Sequence, residues 1–298
     1  MKKYTMLDIA KAANVSKATV SYVLNEKSDA RVSEQTRRKI LQIANVYHYV
    51  PNLSAKYLGD KRKKLIGVAV GNGRDCVLPY DGLAIDSLYS VFPASDYKLV
   101  LMDSKSRYEY MDLAYDVIFA INLSEQQIRE MSTNTFSPMV LLDCSFPDLL
   151  FFRIRNDYAA AFTLANSAFP VRRECVVLYC SQNNEGVNNI LQSLPATEVF
   201  AINGNNRTET EKFLLRNADK NIVAIGEVAG LIALSGCTAD RLAVISSHSG
   251  GLFPEGVIRL VWDENARRNY LTTIVSKLEA KEAEDSDVHE LWVKPLFA

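Results

Sequence analysis

Long apolar runs are missing from this chain of 298 residues. No stretch approaches the ~20 apolar residues that a membrane-spanning helix requires, and the N-terminus leads into a polar, charged segment instead of an apolar signal region. We therefore expect a cytoplasmic protein without a membrane partner. Because 48% of the residues are hydrophobic, the chain can bury a large core, and its length suggests two or three domains.

Signatures of catalysis and metal binding are also scarce. The sequence has three histidines and no G-x-S-x-G, P-loop or H-E-x-x-H motif, and Gly71-Asn72-Gly73 lacks the third glycine of the dinucleotide fingerprint. The cysteines are scattered, without a C-x-x-C pair, so free thiols are expected: Cys76, Cys144, Cys175, Cys180 and Cys237. We expect no enzyme, no cofactor and no metal site. The alternative is an enzyme domain, such as a sugar-phosphate isomerase or kinase, fused to the N-terminal segment.

Charge is distributed unevenly along the chain. Residues 1–64 hold 14 basic and five acidic residues, whereas the remaining 234 residues hold 20 basic and 30 acidic ones. The first block therefore suits a polyanion and the second does not. A basic N-terminus that is merely solvated is the alternative, and the motifs that follow argue against it.

The first fifty residues have the spacing of a helix-turn-helix. Thr5 is a suitable N-cap with Asp8 three residues on, and Asn14 tolerates the left-handed backbone of a tight turn. Ser16 then caps a second helix over residues 17–24. Ala10, Asn14, Val15 and Val20 fit the motif's template. Ser33 begins a third helix, with Ile40, Leu41 and Ala44 as its apolar stripe, so the second helix is free to enter a major groove.

A short segment with the properties of a hinge follows. Asn52 can begin and Gly59 can end a helix of about two turns, which is too short to be stable alone in water. Lys-Arg-Lys-Lys stands at 61–64. An ordinary linker is the alternative interpretation.

These residues carry a resemblance to the lac repressor (LacI/GalR) family. The matching text is "TMLDIAKAANVSKATVSYVLN" and "VSEQTRRKILQIANVYHYVPNLSAKYLGDKRKKLIGV". The resemblance implies a homodimer that binds a pseudo-palindromic operator in double-stranded DNA and regulates transcription, as a repressor. It also implies that the hinge helices of two subunits fold in the minor groove, with Leu58 as the wedge between base pairs.

The resemblance assigns the DNA contacts as well. Lys17 and Ala18 match the base-reading positions; lysine can contact guanine or a phosphate, and alanine only a thymine methyl. Tyr22 stands where the family has arginine, so the half-site should differ from the family consensus. Ser16, Thr19, Ser21 and Asn25 fit backbone contacts better. The remaining expected DNA contacts are Thr5, Asn52, Ala55 and Lys56.

The rest of the chain alternates strand-like and helix-like segments, which is typical of parallel sheets covered by helices. Apolar runs occur at 65–70, 98–102, 117–121, 139–142, 175–179, 222–225, 242–245 and 257–262, and helical segments at 82–92, 124–132, 157–168, 185–194, 208–217 and 227–235. The resemblance implies a two-lobed domain like periplasmic binding proteins. In that fold "FRIRNDYAAAFTLANSAF" crosses into the second lobe and "ENARRNYLTTIVSKL" returns to the first. We expect an all-α head at 1–50, a hinge at 51–64 and an α/β effector and dimerisation domain at 65–298.

The ligand site departs from the family pattern. Asn183 replaces the arginine that precedes Gly186 by three residues in sugar-responsive members, and Gly226-Glu227 replaces an Asn-Asp pair. The effector, a sugar or another metabolite, is therefore expected to be smaller or less polar than usual. Alternatively, the domain has lost small-molecule control and answers to a protein partner. Candidate effector contacts at strand ends are Asn72, Asp103, Asp143, Ser181, Asn183, Glu227 and His248.

Overall fold

A computed structural model describes residues 5–24, 32–33, 35–37, 39–40, 43, 64–71, 79–93, 96–102, 115–135, 137–147, 151–247, 251–280 and 290–298. The chain divides into two compact units, Met1–Lys61 and Arg62–Ala298. Of the helices in these described ranges, none is long and apolar enough to span a bilayer.

The N-terminal unit contains two short helices joined by a tight turn. Helix α1 spans Met6–Ala13 and α2 spans Lys17–Leu24. Asn14 between them takes the left-handed conformation (φ 55°, ψ 50°), as the sequence predicted. Residues 35–37, 39–40 and 43 are helical, and Ile40 completes a small core with residues of α1 and α2: Ile9, Ala10, Ala13, Val20 and Val23. Leu41 and Ala44 lie outside the described residues.

The second unit has two six-stranded sheets. The first contains β1 (Lys64–Val70), β2 (Tyr97–Met102), β3 (Val117–Ile121), β4 (Met139–Leu142), β5 (Phe152–Asn156) and β11 (Glu290–Val293), in the order β11-β5-β4-β3-β1-β2. All of its pairings are parallel. Its helices are α3 (Pro79–Val91), α4 (Glu125–Asn134) and α9 (Glu264–Ala280). We call this sheet with its helices the first lobe.

The second lobe is built in the same way. Its strands are β6 (Cys175–Cys180), β7 (Glu198–Ile202), β8 (Asn221–Ile225), β9 (Leu242–Ser246), β10 (Ile258–Trp262) and β12 (Pro295–Phe297), in the order β12-β10-β9-β8-β6-β7. Only the β10–β12 pairing, among those described, is antiparallel. Its helices are α5 (Tyr158–Ala168), α6 (Glu185–Gln192), α7 (Arg207–Arg216) and α8 (Glu227–Leu234).

The chain passes between the lobes at the two places that the family resemblance implied and a third time between β11 and β12. Strand β5 belongs to the first sheet, and α5 directly after it packs against β8, β9, β10 and β12 of the second. Helix α9 returns from β10 and packs against α3, β5 and β11. One continuous core includes side chains of both sheets, such as Phe119 and Val177, together with Leu271 of α9. The buried apolar core therefore continues from one lobe into the other.

Candidate nucleic-acid face and ligand cleft

The first turn of each head helix is fixed by local hydrogen bonds. The Thr5 hydroxyl accepts from the Asp8 backbone N–H, and the Thr5 N–H donates to the Asp8 carboxylate at 2.8 Å. The Ser16 hydroxyl accepts from the Thr19 N–H at 3.0 Å and lies 2.8 Å from the Thr19 hydroxyl. The local geometry of α2 is therefore set by its own first turn, as expected of an N-cap serine.

Helix α2 has one buried and one open face. Val20 and Val23 are buried in the head core. On the other face, Lys17 and Ala18 are exposed and Tyr22 is 45% exposed. Since residues four apart share a helix face, Ala18 and Tyr22 lie side by side. Ser16 is exposed, and Thr19 and Ser21 are half-buried. The other expected DNA contacts lie outside the described residues: Asn25, Asn52, Ala55, Lys56 and Leu58.

In the α/β unit, Asp143 is turned into the protein at the end of β4. It has a left-handed backbone (φ 49°) and is buried. Its carboxylate accepts hydrogen bonds from the Asn156 N–H at 3.0 Å, from the Asn156 side-chain amide at 3.2 Å and from the Tyr158 hydroxyl. Burial raises the pKa of Asp143, while the Tyr158 and Asn156 hydrogen bonds oppose that rise. The predicted effector contact thus lies where the chain crosses between lobes, with its oxygens already hydrogen-bonded.

A buried chain of polar groups continues from Asn156 to the returning helix. Arg267 of α9 is only 1% exposed and donates to the Asn156 side-chain oxygen at 2.8 Å. The Arg267 guanidinium also lies 2.9 Å from the Glu264 carboxylate, which accepts from Ser87 of α3 at 2.8 Å. Nothing in the sequence predicts this chain of contacts, because its members come from four separate segments.

Asn183 and its neighbour Asn184 hold the two lobes together directly. The Asn183 side-chain amide donates to the Asn122 carbonyl at 3.0 Å and to the Gln127 side-chain oxygen at 2.8 Å. The Asn184 amide donates to the Leu123 carbonyl at 2.6 Å, and the Asn184 side-chain oxygen accepts from the Ser145 N–H at 3.1 Å. Both asparagines precede α6 of the second lobe, and their partners belong to the first lobe. We call this set of contacts the asparagine latch.

Two glycines allow this close approach. A Cβ on Gly186 would lie 2.5 Å from the Ser145 Cβ of the opposite lobe. A Cβ on Gly71, at the end of β1, would lie 2.0 Å from the Asn122 carbonyl oxygen and 2.6 Å from the Asn183 amide nitrogen. At distances below 3.0 Å some atoms must shift to make room for a Cβ, so at both positions the latch depends on a missing side chain.

Beside the latch an open pocket remains at the strand ends of the second lobe. It measures about 490 Å³ with its mouth included. Glu227, in the first turn of α8, accepts the Ser247 N–H at 2.5 Å. The lining residues are Asn156, Tyr158, Cys180, Gln182, Ile225, Gly226, Glu227, Val228, Ile245, Ser247 and Trp262.

Of the four expected effector contacts that the structure describes, only Glu227 lines this pocket. Asp143 and Asn183 lie at contacts between lobes, and Ser181 is an exposed residue whose N–H bonds to the Ile202 carbonyl at 2.8 Å. Asn72, Asp103 and His248 lie outside the described residues. Sequence reasoning missed the apolar wall, since Ile225, Ile245 and Trp262 have the character of ordinary strand residues and only their shared position after folding distinguishes them.

Comparison with known proteins agrees with this architecture. Residues 5–52 match the family model for bacterial regulatory proteins of the lacI family. The sucrose operon repressor of Klebsiella pneumoniae is 46% identical over 70 residues, which cover 23% of this chain and 21% of that protein. The HTH-type transcriptional regulator pepR1 of Lactobacillus delbrueckii subsp. lactis is 26% identical over 170 residues, covering 54% and 50%. The matched regions thus span half or less of the length of these relatives.

Solved structures extend the likeness to the whole chain at the level of fold. A lac repressor bound to ONPG in the repressed state aligns over 99% of this chain and 98% of its own, with a TM-score of 0.59 and 15% identity. A lac repressor dimer bound to operator and an anti-inducer aligns equally fully, with a TM-score of 0.54 and 16% identity. A CelR–cellobiose complex gives 0.58 and 15%. The expected fold, an all-α head with a two-lobed α/β body, is confirmed.

Proposed function

We propose that this chain, which belongs to the lac repressor (LacI/GalR) family, is a sequence-specific transcriptional regulator, a repressor, that acts in the cytoplasm. The observation that carries the proposal is the open face of α2. Lys17, Ala18 and Tyr22 are exposed there, while Val20 and Val23 anchor the opposite face. A helix held in this way can enter a major groove without giving up its core.

The proposed organisation has three parts. Residues 1–50 form the head, residues 51–64 a hinge that folds on DNA, and residues 65–298 the body. The basic excess of residues 1–64 supplies the attraction to phosphates. Ser16, Thr19, Ser21 and Asn25 position the head on the backbone, and Lys17 and Ala18 read base edges.

We propose a homodimer that contacts its partner through the body. The structural neighbour bound to operator is a dimer. In this chain, Val228 and Leu231 are exposed one turn apart on α8. Leu252 is also exposed, and its neighbour Phe253 packs close to Gly230 of α8. We propose that the exposed apolar side chains contact the partner subunit. Leu231→Asp should convert the dimer to a monomer in analytical ultracentrifugation. Leu215→Asp, at the 77%-exposed leucine of α7, should leave the dimer intact.

The effector is proposed to bind in the cleft between the lobes and to act on the angle between them. A ligand shifts such an equilibrium only by its differential affinity for the two arrangements. Neighbours with ligands bound share this fold. Structures with and without effector that show the same lobe angle would contradict this mechanism.

The test of DNA binding is fluorescence anisotropy on DNA from upstream of the protein's own gene, with scrambled DNA as the comparison and a series of salt concentrations. We expect a preference of roughly 10³-fold or more for the specific site and a steep fall of affinity with salt. Leu58→Ala should reduce specific binding much more than non-specific binding, because the wedge acts only on a kinked operator. If the protein bound no DNA at low salt, the proposal that it is a transcriptional regulator would be refuted.

A further inference from the structure

Several polar side chains around the pocket bond to the chain itself. The Asn156 amide and the Tyr158 hydroxyl both donate to the Asp143 carboxylate. The Gln182 side-chain amide donates to the Cys180 carbonyl at 2.9 Å. A sugar is held by many hydrogen bonds to its hydroxyls, and exchanging an existing hydrogen bond for a new one gains little free energy. A ligand rich in hydroxyls is therefore poorly matched to these side chains.

Much of the remaining pocket wall is apolar. Ile225 and Ile245 are paired neighbours on strands β8 and β9. Trp262 packs edge-on against the Tyr158 ring, with 5.5 Å between the ring centroids. A Cβ on Gly226, which also lines the pocket, would meet nothing within 4 Å, so the space beside these side chains is open. This surface favours a ligand with an apolar body.

The pocket gives no advantage to a charged ligand. Among the lining residues that the structure describes, Glu227 is the one charged side chain. Its carboxylate accepts the Ser247 N–H at 2.5 Å, and Glu227 makes a further interaction within the protein. An anion would be repelled by this carboxylate, and a cation would lose its water for a partner that is already engaged. We therefore expect an uncharged ligand.

On the premise of the proposed function, we propose that the effector pocket takes a small, uncharged and mainly apolar ligand, which packs against Ile225, Ile245 and Trp262. Its binding is driven by the removal of apolar surface from water. The polar side chains of the pocket keep the hydrogen bonds that they make within the chain. Sugars, sugar phosphates and amines do not fit this chemistry.

Probes built on one cyclohexane ring test the proposal. Cyclohexanol is uncharged and mainly apolar, cyclohexylamine and cyclohexanecarboxylate carry charges of opposite sign, and myo-inositol has a hydroxyl on every ring carbon. Each probe is titrated into the full-length protein and followed by calorimetry and by the fluorescence of Trp262, with Trp292→Phe as the background that removes the other tryptophan. We expect cyclohexanol to bind about tenfold or more tighter than each of the others, because they give up hydration that the pocket does not replace.

Substitutions in the apolar wall connect this preference to the pocket. Ile225→Thr places a hydroxyl in the wall, so the affinity for cyclohexanol should fall about tenfold. Ile245→Val removes one methylene with less risk to the fold, and the affinity should fall about threefold. Ile258→Thr is the matched control, since Ile258 is half-buried at the opposite end of β10 from Trp262. This variant should bind cyclohexanol as the wild type does.

The outcomes separate the ligand chemistry from the regulator function. If myo-inositol, the amine or the carboxylate bound as tightly as cyclohexanol, or if no probe bound, the proposal would be overturned. Equal losses of cyclohexanol affinity in Ile225→Thr and Ile258→Thr would overturn it as well. Operator binding is measured by fluorescence anisotropy on the same preparation. A protein that binds operator but not cyclohexanol contradicts the pocket chemistry alone, whereas a protein that binds no DNA contradicts the proposed function.

Discussion

In the head, the polar side chains at the start of α2 leave one face open, whereas in the cleft the polar side chains at the strand ends bond to each other. Lys17 is exposed on a helix whose geometry depends on Ser16 and Thr19 nearby in sequence. Asn183 is half-buried and bonds to residues about sixty positions away. The difference indicates that the open face of the head is added to a scaffold set by local contacts, whereas in the cleft the polar side chains are themselves part of the contacts that hold the two lobes together.

The largest effect should come from adding a methyl group where the lobes touch. In Gly186→Ala the new Cβ would lie 2.5 Å from the Ser145 Cβ, so the lobes must separate or the backbone must shift. Overpacking of this kind costs about 3 kcal/mol, measured as the free energy of unfolding in urea.

Gly82→Ala is the matched control for this substitution. Gly82 lies inside α3, where a Cβ meets nothing within 4 Å, and alanine should stabilise the helix by about 1 kcal/mol. If Gly186→Ala were as stable as wild type, the close contact between the lobes would not exist in solution.

The second effect concerns pH. Because burial raises the pKa of Asp143 in the folded state, its contribution to stability is fully present below the unfolded pKa and is lost as pH rises through the folded pKa. Asp143→Asn should cost about 1–3 kcal/mol at low pH through altered hydrogen bonds, and the loss of stability with rising pH should be smaller than in wild type. The measurement is the free energy of unfolding at a series of pH values from about 4 to about 7.

Asp157→Asn is the control, because the contribution of Asp157 to stability should change with pH in the opposite direction. Burial alone would raise the pKa of Asp157, but hydrogen bonds from Lys294 and from the Ala160 N–H outweigh it, and the pKa is lowered. Its stabilisation is present above the unfolded pKa and is lost as pH falls, so this variant should differ from wild type most at neutral pH. Identical pH profiles for the two variants would contradict both assignments.

A feature could be predicted from sequence when the residues that form it lie close together along the chain. The Asn14 turn and the Thr5 and Ser16 caps depend on residues within four positions, and they were predicted correctly. The strongly apolar strands were found as well. Strand β5 was missed because Arg153 and Arg155 interrupt its apolar pattern; their charge is accommodated by Glu290 of β11, more than a hundred residues away. Strand β7 was missed because it is a half-buried edge strand.

The asparagine latch was beyond prediction for the same reason. Asn122 takes a left-handed backbone at the end of β3 (φ 50°), which presents its carbonyl and side chain to Asn183 of the other lobe. Nothing near either residue in sequence indicates this pairing. The departure of Asn183 from the family's arginine was visible, but its partner in the other lobe was not.

A smaller effect should distinguish the hydrogen bonds between the lobes from those within one lobe. Asn183→Ala removes two hydrogen bonds to the first lobe and should cost about 1–2 kcal/mol. It should also increase hydrogen exchange at the facing ends of both lobes, since these ends then open more often.

Asn188→Ala removes an equal number of bonds within one lobe. Asn188 exchanges two hydrogen bonds with the Gln182 backbone, each of 2.8 Å. It should cost a similar free energy, while exchange in the first lobe stays at the wild-type rate. Faster exchange of the first lobe in both variants would show that the latch has no special role between lobes.

The smallest effect on folding should come from the open face of the head. Lys17 is exposed and begins α2, so Lys17→Ala should change the stability of the head by no more than about 0.5 kcal/mol. Specific operator affinity should nevertheless fall by about tenfold or more, since a lost base contact costs about 1–3 kcal/mol. Lys212→Ala, which removes an exposed lysine from α7 of the body, should leave both quantities unchanged. A head that unfolds when Lys17 is replaced would show that scaffold and recognition are as closely joined there as they are in the cleft.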